Sequence, residues 1–188
     1  MKFNAHSNLE GRHAFLSASK YHWLNYTEEK VATTYKKFLG VQRGTELHEF
    51  AATCIRMRQK LPDCSKTLNQ HVNDAIGFRM DAEVTLYYSD NCFGTADAIK
   101  FDDQRRILRI HDLKTGEGAT SMNQLMVYAA LFCLEYDYEP NEIRIVLRIY
   151  QHDTFEEFEP SPVDIREIMN KIRSFDRVID AIKMEDRE

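Results

Sequence analysis

The spacing of apolar residues changes once, near residue 79, and that change decides which folds are open to this chain. Upstream of it, Leu47, Ala51, Cys54 and Ile55 fall on one helical stripe. The spacing there predicts helices over about 18–26, 28–38, 42–60 and 67–76. Ser17-Ala18-Ser19 is placed to cap the first, which carries the only tryptophan, Trp23, and Pro62-Asp63 to end the third. Downstream, apolar and polar residues alternate, predicting strands over 79–88, 92–101 and 106–113. Ser89-Asp90-Asn91 and Asp102-Asp103-Gln104 supply short turns between them. The helical period returns over 121–136, where Leu125, Tyr128, Ala129 and Phe132 share a face. A β-rich run over 143–151 follows, and Pro160-Ser161-Pro162 leads into a closing helix over 163–184. The order is helices, three strands, helix, strand, helix. It predicts a mixed α/β domain with an antiparallel meander and a crossover strand.

No repeat, low-complexity segment or linker interrupts the 188 residues, so a single domain is expected: a helical part over about 16–78, a core over about 79–152, and the closing helix. Hydrophobic residues make up 43% and charged residues 29%, the balance of a soluble globular protein. No apolar run approaches the roughly 20 residues that span a bilayer, so no membrane partner is expected. Met1-Lys2-Phe3-Asn4-Ala5-His6 lacks the apolar segment of a signal peptide, so the protein is expected to stay in the compartment where it is made. Cys54, Cys64, Cys92 and Cys133 show no Cys-x-x-Cys spacing and are expected as reduced thiols. A net charge of -5 argues against a protein that coats duplex DNA, yet suits an enzyme whose acids gather around a metal. Three basic clusters remain: Lys36-Lys37, Arg56-Met57-Arg58-Gln59-Lys60, and Arg105-Arg106 with Arg109. Each is a solvated face or a track for a polyanion.

The residues with chemistry lie between Gly94 and Tyr128. Strand side chains two apart share a face, so Asp112 and Lys114 point together while Leu113 turns to the core. Asp97 is on the neighbouring strand, and a short turn lets both acids reach one point. Two carboxylates suit a hard divalent cation, and a lysine beside them can stabilise charge on a phosphate or orient a water. Gln124 and Tyr128 are four apart, hence on one helical face, with phosphate oxygens or Lys114 in reach. His48 offers a nitrogen ligand, which favours Mn²⁺ more than oxygen ligation alone does. Glu83, on the first strand, offers a further carboxylate or is an ordinary exposed strand residue.

Four motifs occur in order: Gly44-Thr45-Glu46-Leu47-His48, Gly94-Thr95-Ala96-Asp97, Asp112-Leu113-Lys114-Thr115-Gly116 and Gln124-Leu125-Met126-Val127-Tyr128. Together they resemble the RecB-like branch of the PD-(D/E)XK nuclease superfamily, over about residues 16–150, with Leu16-Ser17-Ala18-Ser19 similar to the Ser-x-Ser opening of many members. The resemblance implies a restriction-endonuclease-like core, a mixed sheet flanked by helices behind an N-terminal helical segment. It implies Mg²⁺ or Mn²⁺ held by His48, Asp97, Asp112 and the Leu113 carbonyl, Lys114 as the catalytic lysine, and Gln124 and Tyr128 against DNA or the lysine. Family members with an iron–sulfur cluster carry one cysteine before the histidine motif and three near the C-terminus. Here none precedes His48 and none follows Cys133, so no cluster is expected.

The resemblance therefore implies a stand-alone DNA exonuclease of the phage type, acting in recombination, repair or end processing. The expected location is the cytoplasm of a prokaryotic or phage-infected cell, and a single-strand-annealing protein or a helicase is the partner it implies. Alternatives are a structure-selective or nicking endonuclease, and a catalytically weak DNA-end-binding or protein-binding module on the same fold. A homo-oligomeric ring, with the closing helix at its interface, would offset the acidic surface; the favoured reading of that helix is that it simply covers the sheet.

Overall fold

The computed structural model describes residues 14–185, so the reading of Met1 to His6 lies outside the described residues. Contacts divide the chain into two compact units, Met1–Arg43 and Gly44–Glu188. In the first, a 3₁₀ helix over Ala18–Asn25 replaces the expected α-helix. Ser17 sits at its N-cap but makes no capping bond; its hydroxyl lies 2.8 Å from that of Ser19 instead. The Trp23 indole N–H donates to the Ser17 carbonyl, and Phe15 packs edge-on against Tyr35.

Helix α1 runs unbroken over Glu28–Arg56, where two helices were expected. Gly40 weakens a helix by about 1 kcal/mol relative to alanine but does not stop it. The stop comes at Arg58, before Pro62, where a left-handed residue (φ 55°) lets the Gln59 N–H reach the Cys54 carbonyl at 2.9 Å. Helix α2, Thr67–Gly77, ends the same way, with Arg79 at φ 56° and the Met80 N–H on the Ala75 carbonyl.

In the second unit, five strands form one sheet in chain order: β1 (Asp81–Ser89), β2 (Cys92–Asp102), β3 (Ile107–Leu113), β4 (Arg144–Gln151) and β5 (Thr154–Phe158). β1, β2 and β3 form the antiparallel meander, and β4 runs parallel to β3. Helix α3, Asn123–Glu135, makes the crossover that a parallel neighbour requires. β5 was not expected. It is exposed along its length, and its link to β4 is a two-residue turn with His152 and Asp153 at φ 51° and 59°. Such turns usually signal themselves by Asn-Gly or Asp-Gly, and neither is present.

Helices cover both faces of this mixed sheet. On one face, Ala51, Ala52 and Ile55 of α1 and Val72 and Ala75 of α2 pack with Leu113 and Tyr150. On the other, α3 lies between the sheet and α4 (Pro162–Glu185), so it is buried on more than the single expected face: Ala130, Leu131 and Cys133 are covered along with Leu125 and Ala129.

The N-terminus of α2 has no local side-chain cap. The β4–β5 turn provides one: Asp153 Oδ1 accepts the Thr67 N–H at 2.9 Å, and Thr67 Oγ1 accepts the Asp153 N–H at 2.7 Å. Asp153→Ala is therefore expected to lower unfolding stability by about 1 kcal/mol in urea titration. An unchanged midpoint would show that the turn does not hold the helix.

Candidate metal centre

Strand alternation breaks where β1 and β2 carry their acids. Ala82 packs on the α1–α2 side and Val84 on the α3 side, although residues two apart should share a face. Ala96 and Ala98 divide in the same manner. Glu83 sits at the break with φ 53°, a left-handed backbone that costs a non-glycine residue about 1–2 kcal/mol. Strain of this kind gathers at functional sites. Here one ligand atom each from Glu83, Asp97 and His48 lies within 4.8 Å of the others.

The structure brings the five other predicted site residues, Asp112, Leu113, Lys114, Gln124 and Tyr128, around this point. Asp97 Oδ2 lies 3.2 Å from His48 Nδ1 and accepts the Leu113 N–H at 2.8 Å. Leu113 itself is buried, and its N–H is the group that holds Asp97. Lys114 Nζ lies 2.9 Å from Asp112 Oδ2 and donates to Gln124 Oε1 at 2.7 Å. Gln124 Nε2 in turn donates to the Tyr128 hydroxyl at 3.0 Å. A chain of contacts thus runs from Asp112 through Lys114 and Gln124 to Tyr128. Asp112 stands apart from the His48–Glu83–Asp97 trio, yet its charge acts on both Asp97 and His48.

Two glycines make these approaches feasible. A Cβ at Gly44 would lie 2.9 Å from Thr115 Oγ1, so the glycine lets α1 come close to the loop after β3. His48, one helical turn further, then faces the acids. A Cβ at Gly94 would lie 2.9 Å from Tyr128 Cε1, so Gly94 leaves room for the ring that ends the Lys114–Gln124 chain. The motif spacing singles out both glycines without indicating what fills the space above them.

Burial and neighbouring charge shift the carboxyls of this cluster in different directions. Asp112 is 2% exposed, and burial followed by the Asp97 charge pushes its carboxyl up to about 6, against the opposing Lys114 ammonium. Its Oδ2 carries the Lys114 ammonium at 2.9 Å as an ion pair. Burial would raise Asp97 as well, but the bonds from His48 and the Leu113 N–H outweigh it and hold the carboxyl below its ordinary value. The bond to Asp97 raises His48, more than burial lowers it. Burial, then Asp97, raises Glu83. The His48, Glu83 and Asp97 donor atoms beside the buried Asp112 carboxylate form an oxygen–nitrogen set of the kind that suits Mg²⁺ or Mn²⁺.

No family model matches the chain, and comparisons with curated proteins and with solved structures likewise return no match.

The Asp112 shift has a definite sign. Its folded pKa lies above its unfolded value, so its contribution to stability is complete below about 4 and is lost as pH rises through about 6. A divalent cation bound here would take the place of that proton above the range. Mn²⁺ is therefore expected to raise the melting temperature more at pH 7.5 than at pH 5, with the difference reduced in Asp112→Asn. An equal Mn²⁺ effect at both pH values in the two proteins would contradict this arrangement.

Proposed function

We propose that this chain is a metal-dependent deoxyribonuclease with a PD-(D/E)XK core of the RecB-like kind, acting as an exonuclease. One observation carries the reading. Asp97 and Asp112 converge from adjacent strands beside a lysine that touches Asp112 at 2.9 Å and is steered by Gln124 at 2.7 Å. A structural Asp–Lys pair would not need an amide steering its lysine, nor a neighbouring carboxylate held by a histidine and a backbone N–H. The mixed five-stranded sheet with helices on both faces supports the same reading, as does the order of the four motifs.

His48, Asp97 and Asp112 would hold Mg²⁺ or Mn²⁺, with Glu83 in reach and the Leu113 carbonyl the further ligand that the resemblance implies, and the ion would polarise the phosphate and acidify a water. The residues of the chain do the remaining work. Lys114, held between Asp112 and the Gln124 amide oxygen, orients the attacking water and stabilises charge building on the phosphoryl oxygens. Gln124 fixes the lysine, and Tyr128 fixes Gln124. The water oxygen bonds to phosphorus, the bond from phosphorus to the leaving sugar oxygen breaks, and hydrolysis releases one phosphate-bearing end.

End-labelled linear DNA and closed circular DNA, each with Mg²⁺ or Mn²⁺, test this directly. Degradation of linear DNA is expected, with rates at least about 100-fold lower in Lys114→Ala and Asp112→Ala. Wild-type rates in those variants would remove the site assignment. Nicking of closed circles would replace exonuclease by endonuclease.

A further inference from the structure

A groove of about 600 Å³ opens beyond the C-terminal end of α2, with four cations, Arg79, Lys100, Arg105 and Arg109, and two acids, Asp102 and Asp103, in its lining beside Phe78. Lys100 and Arg109 face each other directly across the β2–β3 ladder. Both are half-buried. Like charges opposite one another in an antiparallel pair destabilise it, so a protein of net charge -5 holds two cations here against their repulsion.

The acids nearby do not neutralise them. Asp102 and Asp103 pair with Arg105 and Arg106 of the same turn. Glu159, on which Arg109 acts at longer range, is held by Arg144 through two contacts. Among the described residues, no carboxylate lies within ion-pair distance of Arg79, Lys100 or Arg109. Nor are these cations needed to close α2, because the N–H groups of Phe78, Arg79 and Met80 already occupy its last carbonyls. The Arg109 guanidinium rests on the Phe78 ring, 4.4 Å from its centroid, which fixes the plane of the guanidinium and leaves its edge for an anion.

We propose that this groove binds the phosphate backbone of a nucleic-acid strand, as a holding site separate from the metal centre. The identity of the polyanion rests on the nuclease reading above. Lys100 lies three residues beyond Asp97 on β2, and Arg109 three residues before Asp112 on β3. That is roughly 10 Å along the strands, but the odd spacing puts Arg109 on the Leu113 face and Asp112 on the opposite one, so a strand held here reaches the metal centre around the end of the sheet. A strand held here would stay attached while the metal centre works on it, which offsets the acidic character of the rest of the chain.

The test is metal-free, so that it stands whether or not the protein cleaves. Fluorescence anisotropy of a labelled single-stranded 20-mer in EDTA is measured across a salt series, for wild type, Lys100→Ala/Arg109→Ala and Lys100→Glu. The double variant is expected to bind at least tenfold more weakly. Its slope of log affinity against log salt should fall by about 1.4, two phosphate contacts at 0.7 each. Lys100→Glu provides an internal partner for Arg109 and should fold at least as stably while losing the same affinity. Wild-type affinity and slope in both variants would overturn the proposal, as would a wild type that does not bind the 20-mer. Inorganic phosphate and a 5′-mononucleotide form the second arm. If they raise the melting temperature of wild type alone while 20-mer binding is the same in all three proteins, the groove is a small-phosphate site and the strand proposal fails. Loss of 20-mer binding in the variants of a protein that never cleaves DNA would sink the nuclease reading and leave the groove standing.

Discussion

The bond from the Leu113 N–H to the Asp97 carboxylate, 2.8 Å long, is the contact on which the site depends. The β2–β3 ladder pairs residues as far as Ala98 and His111 and then stops, while β3 continues alongside β4 to Leu113. Past that point β2 no longer offers a carbonyl to β3. Asp97 takes over with its side chain, so the carboxylate that leaves the sheet also closes it. Its position is thereby set by the backbone of the strand that carries Asp112 and leads into Lys114. Two acids on separate strands stay in a fixed relation because one of them is part of the hydrogen bonding of the other's strand.

That arrangement concentrates negative charge. Asp112 is buried, its carboxyl is raised to about 6, and Lys114 balances it only in part. His48 and the Leu113 N–H stabilise Asp97, while Glu83 holds a strained backbone at the edge of the same cluster. The rest of the fold supplies rigid walls for this charge. Ala51, Ala52 and Ile55 seat α1 on one face so that His48 arrives from above, and Leu125 and Ala129 seat α3 on the other so that Gln124 reaches Lys114. The glycines at 44 and 94 set how near those helices come.

Much of this could be read from the chain itself, and the exceptions have physical causes. The meander and α3 were legible because alternation and helical spacing are strong there and the turns are short. The continuity of α1 was not, since Gly40 is tolerated inside a helix held by packing further along it. The end of α1 was misplaced because Arg58 occupies the left-handed position that glycine would have marked, whereas α2 lies where its spacing put it. β5 escaped notice because an exposed edge strand has no apolar alternation and its turn has no glycine. At the site, residue types and spacing brought out His48, Asp97, Asp112, Lys114, Gln124 and Tyr128, which the structure gathers together. The reversal of alternation at Glu83 and Asp97 depends on how two strands pair, and no single-strand pattern carries it.

The central claim is that these side chains converge to hold a divalent cation. Diffraction from crystals grown with Mn²⁺, recorded near the manganese absorption edge, tests it most directly. The account predicts an anomalous peak against the Asp97 carboxylate, within reach of His48 and Asp112. Saturating Mn²⁺ with no peak there, or with peaks only on scattered surface acids, would contradict it.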